Sequence, residues 1–276
     1  MITSSSYSGN GSLRDTATGG YETHDDMLEL GRLLCSWNST QKLTISGYCS
    51  QPRVLDSTIF PHNTLPSYRL TSLELRSLAL PDSSLLELVG QNCSGTLKVL
   101  KLQCITDLTQ DVLGDLLKVL GPTLEVFMMT GGAAENDERD SFDTAVLRPL
   151  KMLHTLVLSS DHFPETVLGV AVSLPSIRTV KIVKEHFSLN TAVASVSGAS
   201  PSLELLELNL WEVGAVFWDP MQRWLISKCF YLKEIEFTLN GDNFEDIEDG
   251  KLAQPPADRA QSDSSPASPL YRMVGY

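Results

Sequence analysis

The sequence predicts an α/β fold, a right-handed β–α horseshoe in which a solenoid carries a parallel inner sheet and outer helices. A six-residue frame, apolar at its first, fourth and sixth positions, recurs along most of the chain. It reads "LTSLEL" from Leu70, "LKVLKL" from Leu97, "LEVFMM" from Leu124, "LHTLVL" from Leu153, "IRTVKI" from Ile177, "LELLEL" from Leu203 and "LKEIEF" from Leu232. The steps between these starts are 27, 27, 29, 24, 26 and 29 residues, and a weaker copy, "TQKLTI", begins at Thr40. The stretches between frames place apolar residues at helical spacing, so strand and helix alternate. Self-similarity at a fixed step of this size is the signature of stacked coils, each of which cannot bury its own apolar face alone.

The elements follow in chain order. Residues 1–24, rich in Ser, Gly and Thr, are expected to be disordered. "DDMLELGRLLCSW" at 25–37 reads as an amphipathic helix covering the start of the stack, and opens a repeat domain expected to span 25–245 with about seven to eight repeats. The segment 46–69, with Pro52, Pro61 and Pro66, reads as an irregular connection. Within each frame, side chains of a short strand alternate between faces, so positions four and six point into the core. Position one turns inward from the loop before, and position eleven from the loop after, so that of the unevenly spaced leucines Leu70, Leu73, Leu75 and Leu80 are expected to face the core. Helices are expected over 82–92, over 109–121 with Thr109 as N-cap and Gly121-Pro122 as the stop, and over 219–229 with Pro220 in the first turn. "AAENDERDSFD" at 133–143 is expected to be a charged mobile loop, and 246–276 a disordered acidic and Pro/Ser-rich tail bearing Ser265-Pro266 and Ser268-Pro269.

Composition narrows the function classes. A formal net charge of -13 argues against nucleic acid, which demands clustered Lys and Arg. No apolar run approaches the roughly 20 residues of a membrane span, and the N-terminus lacks the basic-then-apolar pattern of a secretory signal. A cytoplasmic or nuclear monomer is therefore expected, its five scattered cysteines reduced and its three glycosylation sequons idle. There is no G-x-G-x-x-G, P-loop, H-E-x-x-H or G-x-S-x-G, so no enzyme activity and no cofactor are expected.

On these repeats the chain resembles leucine-rich-repeat proteins of the long, ribonuclease-inhibitor-like kind, over roughly residues 26–240. The irregular repeat lengths are similar to those of F-box/leucine-rich-repeat proteins, fungal ones especially. That resemblance implies a non-catalytic protein-interaction module, a substrate receptor of a ubiquitin ligase that recruits a Skp-type adaptor through an N-terminal F-box. The chain departs from it in having one plausible helix before the first repeat, where an F-box has about three. Resemblance to ribonuclease inhibitor implies the alternative, an acidic inhibitor or regulator that caps a basic enzyme.

A protein partner is expected on the concave face, which positions three, five and seven line. The candidate contact residues are Glu74, Arg76, Val99, Lys101, Val126, Met128, Val157, Lys181, Glu207 and Glu236: an apolar centre between charged ends. "DHF" at 161–163 and "EHF" at 185–187 set His162 and His186 on adjacent coils, a pattern that suits zinc in residue type, but with no third coordinating pair nearby no metal site is expected.

Overall fold

The computed structural model describes residues 2–4, 41–47, 53–54, 70–81, 89, 93, 95–131, 143–159, 163–183, 194, 198–211, 234–240 and 270–275. The predicted helices at 25–37 and 219–229, the charged segment 133–142, His162 and His186 lie outside them. So does most of the predicted helix 82–92, of which Val89 is helical and buried.

The architecture is α/β, built on a ten-stranded sheet. Its strands are β1 (Ile2–Ser4), β2 (Lys42–Ser46), β4 (Ser72–Arg76), β6 (Val99–Gln103), β7 (Val126–Thr130), β8 (Thr155–Ser159), β9 (Thr179–Val183), β10 (Leu205–Trp211), β11 (Glu234–Asn240) and β12 (Leu270–Gly275). They lie side by side in chain order, with β1 antiparallel to β2 and every other pair parallel. Two short strands, β3 (Arg53–Val54) and β5 (Leu78–Ala79), pair separately. Register follows the frame: Leu73 faces Leu100, Leu100 faces Phe127, Phe127 faces Leu156 and Leu156 faces Val180. Like positions therefore stack on like positions. The core is the result, with Leu70, Leu97, Leu124, Leu153, Ile177 and Leu203 from position one all fully buried beside the residues of positions four and six. Each such side chain contributes roughly 1.5–3 kcal/mol on leaving water.

Backbone bonding between coils repeats as regularly. The carbonyl of position two accepts two N–H groups from the next coil: Thr71 O from Lys98 and Val99, Lys98 O from Glu125 and Val126, Glu125 O from His154 and Thr155. Position eight carries the corner. Ser77, Cys104 and Gly131 have φ of 52°, 50° and 65°, and each N–H donates to the position-seven carbonyl of the following coil, Gln103, Thr130 and Ser159, at 2.7–2.8 Å. A left-handed residue breaks the strand's alternation, which is why Leu78 and Ile105 at position nine and Leu80 at position eleven turn inward; Phe163, at position eleven of its own coil, is buried as well. Where position eleven is Asp107, that residue is itself left-handed and exposed, and Leu108 packs on the core instead.

Of the helices expected from the sequence, the one over 109–121 falls within the described residues and is present. Among the described residues α-helix occurs at α1 (Gln110–Leu120) and α2 (Val167–Ser173), Val89 and Ala194 are also helical, and the coil between α1 and α2 has a 3-10 turn, Thr144–Leu147. In that coil Pro149 follows closely and cannot continue a helical ladder, so Val146, Leu147 and Leu150 fill the wall from a turn. The coil of α2 opens the shortest step, from Leu153 to Ile177, which leaves room for two helical turns. Thr109 caps α1 as expected, its hydroxyl accepting from Val112 N. Gly121 is helical rather than left-handed, and the reason for glycine there is space: a Cβ would meet the Pro149 carbonyl oxygen at 2.7 Å.

Two strands fall in segments that composition places outside the repeats. Ile2–Ser4 pairs with β2, and Leu270–Gly275, an apolar stretch after the Ser/Pro-rich part of the tail, pairs with β11. No helix among the described residues is long and apolar enough to cross a membrane.

Candidate protein-binding face

The strand face opposite the core holds the candidate residues. Register sets position five in one row, Glu74, Lys101, Met128, Val157, Lys181, Glu207 and Glu236. Position three gives Ser72, Val99, Val126, Thr155, Thr179, Leu205 and Glu234; position seven gives Arg76, Gln103, Thr130, Ser159 and Val183. Their side chains are half-buried for the most part, with Arg76 and Val183 exposed. Glu236 stands in register between Glu207 on β10 and Arg272 on β12.

The face has an apolar centre. Val99 and Val126 are neighbours across β6 and β7, and Met128 and Val157 across β7 and β8. With strands about 4.8 Å apart and like-facing residues about 7 Å apart along a strand, the four side chains form one small group. The Gln103 amide nitrogen approaches the Met128 sulfur at 3.6 Å. β-Branched residues suit parallel strands whatever they face. Met128 does not share that preference, and it stands next to Val157 in the middle of the row.

Charges are tied in pairs around this group. On β4, Arg76 donates from Nε and Nη2 to the same oxygen of Glu74, at 2.8 and 2.5 Å. On the other side Lys181 pairs with Glu207, its register neighbour on β10. Lys101 stands beside Met128 in register and forms no ion pair among the described residues.

A further row lies at position two, which the sequence reading does not single out. Lys98 pairs with Glu125 at 2.8 Å and Arg178 with Glu204 at 3.8 Å, each across adjacent coils, with His154 on the coil between. The Lys98 ammonium, aided by His154, holds the Glu125 carboxyl below its ordinary value. Opposite charges separated by one repeat length were the available signal. Such exposed pairs contribute little stability; they border one side of the face with alternating charge.

Among the described residues no group of three or more His, Cys, Asp or Glu side chains is placed to hold a metal ion. Cys93 is buried and its thiol is pushed up to about 11 by burial, so it is poorly suited to act as a nucleophile; Cys104 is exposed. No protein-family model and no curated protein matches the chain.

Proposed function

We propose that the chain is a non-catalytic protein-interaction module, a leucine-rich-repeat solenoid of the ribonuclease-inhibitor-like kind whose concave sheet face binds a protein partner. One observation carries this reading: Val99, Val126, Met128 and Val157 meet on the open side of the sheet, with paired charges around them. A fold that needs only alternation on this face has no use for a methionine flanked by valines in the open, whereas an apolar centre within a polar rim is how protein interfaces are built. A ubiquitin-ligase adaptor is a candidate associate through the resemblance to F-box/leucine-rich-repeat proteins. The net charge of -13 favours the second reading, a regulator of a basic enzyme.

The test is affinity capture from the source cell with wild-type protein and with Met128→Glu and Val157→Lys. Loss of a specific partner in both variants, at unchanged unfolding midpoint, supports the binding face; retention of every partner refutes it. Recovery of adaptor and cullin marks a ligase receptor, and recovery of a single basic enzyme marks an inhibitor.

A further inference from the structure

We propose that Lys101 is a carboxylate-recognition point in this face, so that the partner segment seated on Met128 presents an Asp or Glu beside an apolar side chain. The proposal rests on the reading of the face as a protein-binding surface and adds the chemistry of what binds there.

The argument starts from which cations are already occupied. Of the basic residues that the described strands place on this face, Arg76 is engaged by Glu74 and Lys181 by Glu207. Lys42 is exposed at β2, two strands away from the apolar group, and Arg272 stands in register with Glu236 on the last strand, far from it. Lys101 meets that group in register at Met128, with Glu74 on its other side, and Lys181 meets it at Val157, with Glu207 on its other side. The two lysines of the position-five row have equivalent surroundings, each with a glutamate on the strand away from the apolar centre. Lys181 uses its glutamate. Lys101 does not, because Arg76, two residues along β4 on the same face, holds Glu74 through two hydrogen bonds to one oxygen. Arg76 is thus a positioning residue: it keeps the chain from supplying Lys101 with its own counter-ion.

The consequence appears when a partner lands. Any side chain that covers Met128 also draws water away from the adjacent Lys101, a residue already half-buried. A buried unpaired charge is strongly disfavoured, so a partner that covers the apolar centre without a carboxylate binds poorly. An aspartate or glutamate next to the apolar anchor satisfies both groups at once, through a charge-assisted hydrogen bond. In a chain with thirteen excess negative charges, a cation left available beside this apolar group discriminates sharply among partners.

The experiment selects a random linear peptide library displayed on phage against the immobilised full-length chain, then measures enriched peptides by fluorescence anisotropy. Enrichment of Asp or Glu adjacent to Leu, Met or Phe is expected. Lys101→Gln should weaken these peptides about ten- to hundredfold, as expected for a hydrogen bond to a charged group. Replacing the peptide acid by its amide should weaken binding equally, with no further loss on Lys101→Gln. Arg76→Met should also weaken them, by freeing Glu74 for Lys101, and adding Glu74→Gln should restore binding. Unchanged unfolding midpoints exclude a folding defect. Peptides that are lost on Met128→Ser but carry no acid, and are indifferent to Lys101→Gln, overturn this proposal and leave the binding face standing. Peptides indifferent to Met128→Ser overturn the binding face itself.

Discussion

Replacing Gly131 by alanine tests whether the eighth frame position is the corner on which each coil turns. Gly131 has φ of 65° and its N–H bonds the Ser159 carbonyl at 2.8 Å, so the conformation is held by the next coil and cannot relax freely. Placing an L-residue in that region costs about 1–2 kcal/mol. The added Cβ would lie 3.0 Å from the Cys104 sulfur, and forcing that thiol off its rotamer costs about 0.5–1.5 kcal/mol. Alanine also restricts the unfolded chain, which offsets about 0.4–1 kcal/mol. The net expectation is a loss of about 2 kcal/mol, seen in urea unfolding as a lower midpoint at unchanged slope. Cys104→Gly supplies the control, because it deletes the sulfur and relieves a second left-handed residue, with φ of 50°. In that background the cost of Gly131→Ala should shrink by the steric part, about 0.5–1.5 kcal/mol as a double-mutant coupling. Equal midpoints for wild type and Gly131→Ala would refute the corner; equal costs in both backgrounds would refute the contact with Cys104.

Adjacent residues of β7 should behave as opposites: Phe127→Ala, in the fully buried row, should cost about 3–5 kcal/mol in urea unfolding, whereas Met128→Ser, on the open face, should stay within about 1 kcal/mol. The thiols divide likewise. At pH 8, among the described cysteines, Cys104 should react with a thiol reagent in the folded protein while Cys93 waits for unfolding. The Cys93 pKa is raised on folding from 9.0 to about 11, so its contribution to stability is complete below pH 9 and lost as pH rises toward 11. Comparing unfolding midpoints of wild type and Cys93→Ala across that interval checks the sign, and a difference that does not change with pH refutes it.

What was legible in the sequence was whatever burial repeats. Leu70, Leu73 and Leu75, and their counterparts in the later coils, advertise themselves because each must be apolar at a set distance from the next, and the structure stacks them in register. The corner was not legible, because its requirement is a backbone angle rather than a chemical type, and Ser77, Cys104 and Gly131 have nothing else in common. The outer wall was only partly legible. Helical spacing over 109–121 gave α1, but apolar residues near Thr144–Leu147 fill the same wall from a 3-10 turn, and spacing alone does not separate the two. On the open face the rows could be written out in advance, since register follows from the frame, and Met128 beside Val157 was there to be read. The pairing among charges was not, since Glu74 has both Arg76 and Lys101 within its neighbourhood and only side-chain geometry decides between them.

On the proposed reading of the face, that last ambiguity bears on how a repeat of this kind separates stability from recognition. The buried rows accept only apolar residues of about the right volume, and a change there is felt throughout the stack. The open rows carry no such demand, so their residues are free to differ from coil to coil, as Glu74, Lys101, Met128, Val157, Lys181 and Glu207 do within one row. Specificity then depends less on which charges are present than on which remain uncommitted after neighbours have paired. Arg76 and Glu74, two residues apart on one strand, reach each other without crossing a coil, whereas Lys101 must reach across to the adjacent strand. Arg76 holds Glu74 through two hydrogen bonds although Lys101 stands nearer across the strands, and on the proposed reading that intrastrand ion pair leaves the cation beside Met128 to a partner.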